Sequence, residues 1–179
     1  SSKVKQTAAA QYALYSEWFY VVLRELIDIV PCKDSSNETC RLLSKYFVPQ
    51  VPYDQIKQAF DTLDRLGLLG KKDNGAFTVK ERFITSGMDI PQVVLNRVLM
   101  QFSDLAKQSV DRFTKPERSL STLTVSVSEK GYDKIREKVD RFRREILSMV
   151  NEEDDDIDRV CHLNLHVFPV TKPYREKKR

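Results

Sequence analysis

The sequence predicts an α+β chain of two domains, a helix-rich first half followed by a second half in which helices alternate with strands. Three observations carry that reading. Apolar residues recur at steps of three and four over most of residues 8–66, an Asn74-Gly75 pair lies between two short apolar runs, and beyond residue 120 two segments alternate apolar and polar residues with a period of two. A length of 179 residues admits one large domain or two small ones. A boundary cluster at Gly87 divides the chain into residues 1–88 and 89–179. With 41% hydrophobic and 31% charged residues there is enough apolar material for a buried core.

Ser1 to Thr7 read as a linker, and a chain that starts without Met is expected to continue a longer one. From Ala8 to Val30, Leu14, Trp18, Val22 and Leu26 step by four, and Pro31 stops the run. One long amphipathic helix is expected there. Residues 33–37 supply Ser and Asn caps for a short second helix that turns Leu42, Leu43, Tyr46 and Phe47 inward before Pro49. Asp54 is the expected cap of a third helix that buries Ile56, Phe60, Leu63 and Leu66 and ends at Gly67. Leu68 to Val79 then reads as a hairpin, with Asn74 and Gly75 as the positive-φ residues of its turn. Helix, short helix, helix and hairpin in this order resemble a winged-helix domain over Ala8 to Arg82.

In the second half, Pro91 suits the first turn of a helix running to Phe113. Val94, Leu95, Val98, Leu99 and Phe102 form its broad apolar face, which Val93 and Met100 widen. A face of that breadth suits a central helix or a partner, which makes these residues the dimerisation candidates. Thr114 to Arg118 read as a loop. Leu123, Val125 and Val127 alternate with Thr124, Ser126 and Ser128 as a half-buried strand. Tyr132, Ile135, Val139, Phe142, Ile146 and Met149 trace a helix from Glu129 to Val150, and Leu163, Leu165 and Val167 alternate with polar residues in a second strand ending at Pro169. The result is a helix-strand-helix-strand domain. A right-handed crossover would make the strands parallel, but two strands do not form a self-sufficient sheet. A second copy of the chain is the expected completion, giving a homodimer.

Charge narrows the function. The net charge is +4, and each half carries +2, from 12 basic against 10 acidic residues in 1–88 and 18 against 16 in 89–179. Neither half is a strongly basic nucleic-acid-binding body. The third helix is itself slightly acidic, with Asp54, Asp61 and Asp64 against Lys57 and Arg65. Gln55 and Gln58 on its surface can still read base edges while Lys57, Lys71 and Lys72 hold phosphates. These five are the candidate DNA-binding residues of an alternative reading. The basic residues between Lys130 and Arg144 are interleaved with acids, and Glu137–Arg141 and Asp140–Arg144 have the spacing of intrahelical ion pairs. They are expected to form a solvated face.

Three cysteines suit a reducing compartment, and the cytoplasm is the expected location. Cys32 and Cys40 lack CxxC spacing and a second pair, while His162 and His166 on a strand would stand about 13 Å apart. No metal site and no cofactor are expected. Cys161 is expected to point into the core, leaving His162, Asn164 and His166 on the outer face, where they can line a small-molecule surface. No nucleophile elbow, phosphate-cradling glycine loop or paired-carboxylate motif is present, so catalysis has no support. No run reaches the roughly 20 apolar residues of a membrane span.

Several segments together resemble a bacterial paralogous family known from Fibrobacter, whose members are regulator-like and carry a C-terminal domain of unknown function. They are residues 15–20 (YSEWFY), 23–26 (LREL), 63–69 (LDRLGLL), 123–128 (LTVSVS), 142–147 (FRREIL) and 163–171 (LNLHVFPVT). The similarity spans Tyr12 to Lys172. It implies a helix-turn-helix segment upstream of Ser1 that contacts DNA, with this chain as the C-terminal portion. It implies no catalytic residue. The leading expectation is therefore a non-enzymatic regulatory and dimerisation module of a bacterial transcription regulator. Direct DNA binding by the winged helix and small-molecule sensing are the alternatives.

Overall fold

The structure, a computed structural model, describes residues 2–80 and 91–176. Among them it forms six α-helices and one antiparallel hairpin: α1 (Ser2–Leu14), α2 (Trp18–Leu26), α3 (Asn37–Ser44), α4 (Tyr53–Arg65), β1 (Leu69–Lys71), β2 (Phe77–Val79), α5 (Gln92–Arg112) and α6 (Glu129–Asn151), with a 3-10 turn at Lys115–Glu117. The chain divides into two compact units, residues 1–113 with 157–162, and residues 114–156 with 163–179. The expected boundary at Gly87 lies outside the described residues.

The first unit is built on α2, α3 and α4. Leu23, Ile27, Leu43, Ile56, Phe60 and Leu63 are fully buried, each worth about 1.5–3 kcal/mol over an exposed position. Phe60 meets Phe77 edge to face at 5.0 Å, which ties α4 to the hairpin. The strands pair Leu69 with Val79, Gly70 with Thr78 and Lys71 with Phe77. The Phe77 amide also donates to the Cys32 carbonyl (2.8 Å), and the Thr78 hydroxyl to Asp28 (2.6 Å), so the segment after α2 grips β2. Ser36 caps α3, its hydroxyl accepting from the Thr39 amide.

Five details correct the sequence reading of this unit. Of the residues read as a linker, Ser2 to Thr7 belong to α1. The single helix expected over Ala8–Val30 is two helices, because Ser16 turns back on Ala13 through both its amide and its hydroxyl, and Glu17 is extended (φ −144°, ψ 146°). Leu42 and Tyr46 are exposed, and only Leu43 and Phe47 of that set face the core. Pro52, not Asp54, occupies the cap position of α4. Among the described residues only Gly67 (φ 74°) and Gly75 (φ 84°) have positive φ, so Asn74 does not take the second left-handed position of a two-residue turn. Its side chain instead accepts from the Ala76 amide at 3.0 Å within a longer loop.

In the second unit α6 spans Glu129–Asn151, with Ser128 as its cap accepting from the Gly131 amide at 3.0 Å. The strands expected over 123–127 and 163–167 do not form, and the hairpin is the only sheet among the described residues. The physical reason is the one that makes two strands insufficient: among the described residues the two segments do not pair as a ladder with each other or with the hairpin. Cys161, expected in the core, is exposed.

Candidate functional site

The break between α1 and α2 creates a polar node. Because Glu17 is extended, its carboxylate reaches α5: Arg97 donates to Oε1, and Gln101 Nε2 donates to Oε2 at 2.6 Å. Gln101 Oε1 accepts from the Trp18 amide at 2.8 Å, so a residue 83 positions away caps α2. Beside the node lies a cleft of about 520 Å³ lined by Ser16, Glu17, Phe19, Tyr20, Gln55, Gln58 and Arg97. Its two charged side chains face each other, and with 62% and 31% exposure the pair adds little binding energy of its own. Nothing in the sequence periodicity announces this node, since the apolar step of four runs straight through Ser16 and Glu17.

Of the DNA candidates, Gln55 and Gln58 are exposed and line the cleft. Lys57 is engaged within the chain, donating to the Ser35 carbonyl (2.7 Å) and lying 3.6 Å from Asp61. Lys71 sits 4.7 Å over the Phe77 ring, and Lys72 is exposed beside the hairpin loop. The structure brings the two glutamines together and commits Lys57 elsewhere.

The dimerisation candidates are divided. Val98 and Phe102 are buried in the first unit, Val94 and Leu95 are half-buried, and Leu99 is 49% exposed beside the still more exposed Val93 and Met100. Phe102 stacks flat on His162, centroids 3.6 Å apart and rings 5° from parallel. His162 thereby belongs to the first unit, and Asn164 and His166 to the second. Val160 packs against the first unit's core.

Cys32 and Cys40 are buried. Burial, then the charges of Asp34 and Cys40, pushes the Cys32 thiol up to about 11, and burial raises Cys40 as well. Neither is a reactive thiolate at neutral pH. Among the described residues no group of three or more His, Cys, Asp and Glu side chains is placed to hold a metal ion, and no helix is long and apolar enough to cross a membrane.

The second unit presents a different surface. No residue of α6 is buried, and Leu120, Leu123, Val125, Val127, Phe142, Met149, Leu163, Leu165, Phe168 and Val170 are all exposed. On α6, Asp140 pairs with Arg143 (3.1 Å) and Arg144, and Asp133 with Arg136 (3.9 Å), so the basic face is partly neutralised. The expected Glu137–Arg141 pair does not form. The unit thus joins a charged, self-paired helix face to apolar side chains in contact with solvent.

No curated protein and no solved structure matches the sequence. A family model does, over residues 1–170, nearly the whole chain. The chain belongs to the family described as Domain of unknown function (DUF4423).

Proposed function

We propose that the chain is a non-enzymatic interaction module of a bacterial transcription regulator, in which the second unit drives self-association and DNA contact falls to a separate segment. The observation that carries this reading is that no described residue of the second unit is buried despite its leucines, valines and two phenylalanines. A unit of that kind gains its core from a partner. The resemblance to the Fibrobacter paralogues supports the regulator context. In the first unit, three helices followed by a hairpin, with β2 held to the chain after α2, favour a winged-helix scaffold. The slightly acidic α4 favours packing over phosphate binding. Light scattering on the purified chain at micromolar concentration tests the reading: a dimer is expected, and a strict monomer would remove its support.

A second reading, direct DNA binding, is favoured by the exposure of Gln55, Gln58, Lys71 and Lys72. It requires a mobility shift on duplex DNA that weakens as salt rises and is lost in Lys71→Glu/Lys72→Glu. Absence of any shift at low salt would eliminate it. Small-molecule sensing at the cleft has a thermal-shift screen as its test.

A further inference from the structure

We infer that residues 122–128 form an intermolecular β-strand that pairs antiparallel with the same residues of a second copy, about a two-fold axis at Val125. This rests on the self-association reading and names its contact.

The segment is an unprotected edge. From Ser119 to Ser128 it contains no charged residue, no proline and no glycine, although exposed edges in soluble proteins are ordinarily blunted by charge or proline. None of the backbone groups of residues 119–127 makes a backbone hydrogen bond. Its apolar side chains stand in solvent, with Leu123 84%, Val125 52% and Val127 48% exposed. Its C-terminal end is tied to α6, because the Ser128 hydroxyl caps that helix by accepting from the Gly131 amide at 3.0 Å. The segment is therefore tied to α6 at one end and makes no backbone hydrogen bond among the described residues over 119–127.

The identity of the partner follows from the order of side chains. Read outward from Val125, the segment is symmetric in kind: Thr124 and Ser126, then Leu123 and Val127, then Thr122 and Ser128. Antiparallel self-pairing about Val125 sets Val125 opposite Val125, Leu123 opposite Val127 and Thr124 opposite Ser126. Apolar pairs then share one face and hydroxyl pairs the other, and such cross-strand pairs are stabilising. With no charge in the segment, self-pairing meets no like-charge repulsion. The contact is isologous, so it closes as a dimer. The other segment, 163–167, is a poorer edge. Pro169 lies just past its end, and its Val167 carbonyl accepts from the Tyr132 hydroxyl at 3.5 Å.

The test uses the full 179-residue chain. By light scattering across a dilution series, Val125→Lys, which places two ammonium groups opposite each other on the axis, weakens the dimer at least about tenfold, while Val125→Thr leaves it intact. Thermal unfolding of the first unit stays unchanged in both. In a Cys161→Ser background, Val125→Cys gives a disulfide-linked dimer under mild oxidation and Leu165→Cys does not. If Val125→Lys fails to fold, the cross-linking pair decides. A dimer that survives Val125→Lys, or that cross-links only through Leu165→Cys, overturns this contact and leaves the self-association reading standing. A wild-type chain that is monomeric throughout the series overturns both.

Discussion

Asp34 shows how a single exposed side chain can set acid sensitivity. It accepts from the Ser36 amide (2.9 Å) and the Thr39 hydroxyl (2.7 Å), and these bonds, the Thr39 one foremost, hold its carboxyl down at about 2. In an unfolded chain it would titrate near about 3.9. A depressed native value means the contribution is complete above the unfolded value and is lost as pH falls through the native one. The urea midpoint of the wild type should therefore drop between pH 5 and pH 2 more steeply than that of Asp34→Asn, and parallel profiles would refute the assignment. At the polar node the ranking is set by burial. Gln101→Ala strands the part-buried Trp18 amide and should cost about 1–3 kcal/mol, whereas Glu17→Gln disturbs a solvent-screened pair and should cost under about 1 kcal/mol. Chemical denaturation of the two variants checks the order.

Elements were legible in the sequence where the pattern and the local chemistry agreed. The spacing of Ile56, Phe60 and Leu63 located α4, the steps from Tyr132 to Met149 located α6, and Gly67 closed α4 with the left-handed φ that glycine tolerates. Gly67 and Gly75 have nothing within 4 Å of an added Cβ, so alanine at either site meets only the conformational penalty, about 1–2 kcal/mol. Equal losses in the two variants are expected by thermal or urea unfolding, and a loss at Gly75 far beyond that at Gly67 would point to a contact at the loop. What the sequence concealed was long-range. The α1–α2 break depends on a carboxylate finding Arg97 and Gln101 some eighty residues on, which no local periodicity encodes. The alternation over 123–127 and 163–167 signals a strand, but a strand also needs a ladder to join, and among the described residues the only ladder is the β1–β2 hairpin. The candidate residues fared likewise: Gln55 and Gln58 are exposed as read, whereas the apolar face of α5 is split between core and solvent.

At the scale of the molecule, stability is unevenly distributed. The first unit has a fully buried core, and α6 has no buried residue, so the two units should differ in how concentration affects them. Hydrogen exchange across residues 119–151 should slow as protein concentration rises, while exchange in α2 and α4 stays constant. Concentration-independent exchange in both would show that α6 is stabilised within one chain.

The path of the chain between the units has its own consequence. The backbone leaves the first unit after Phe113 and re-enters it at Ile157, where Val160 packs on the core and His162 stacks on Phe102. Residues 114–156 are thus an excursion anchored at both ends in a host that keeps its own core. Closing such an excursion becomes costlier only with the logarithm of its length, about 0.6 kcal/mol for each doubling. Descendants of this architecture can lengthen, trim or exchange the excursion at small cost to the host, so partner choice can drift while the scaffold stays as it is.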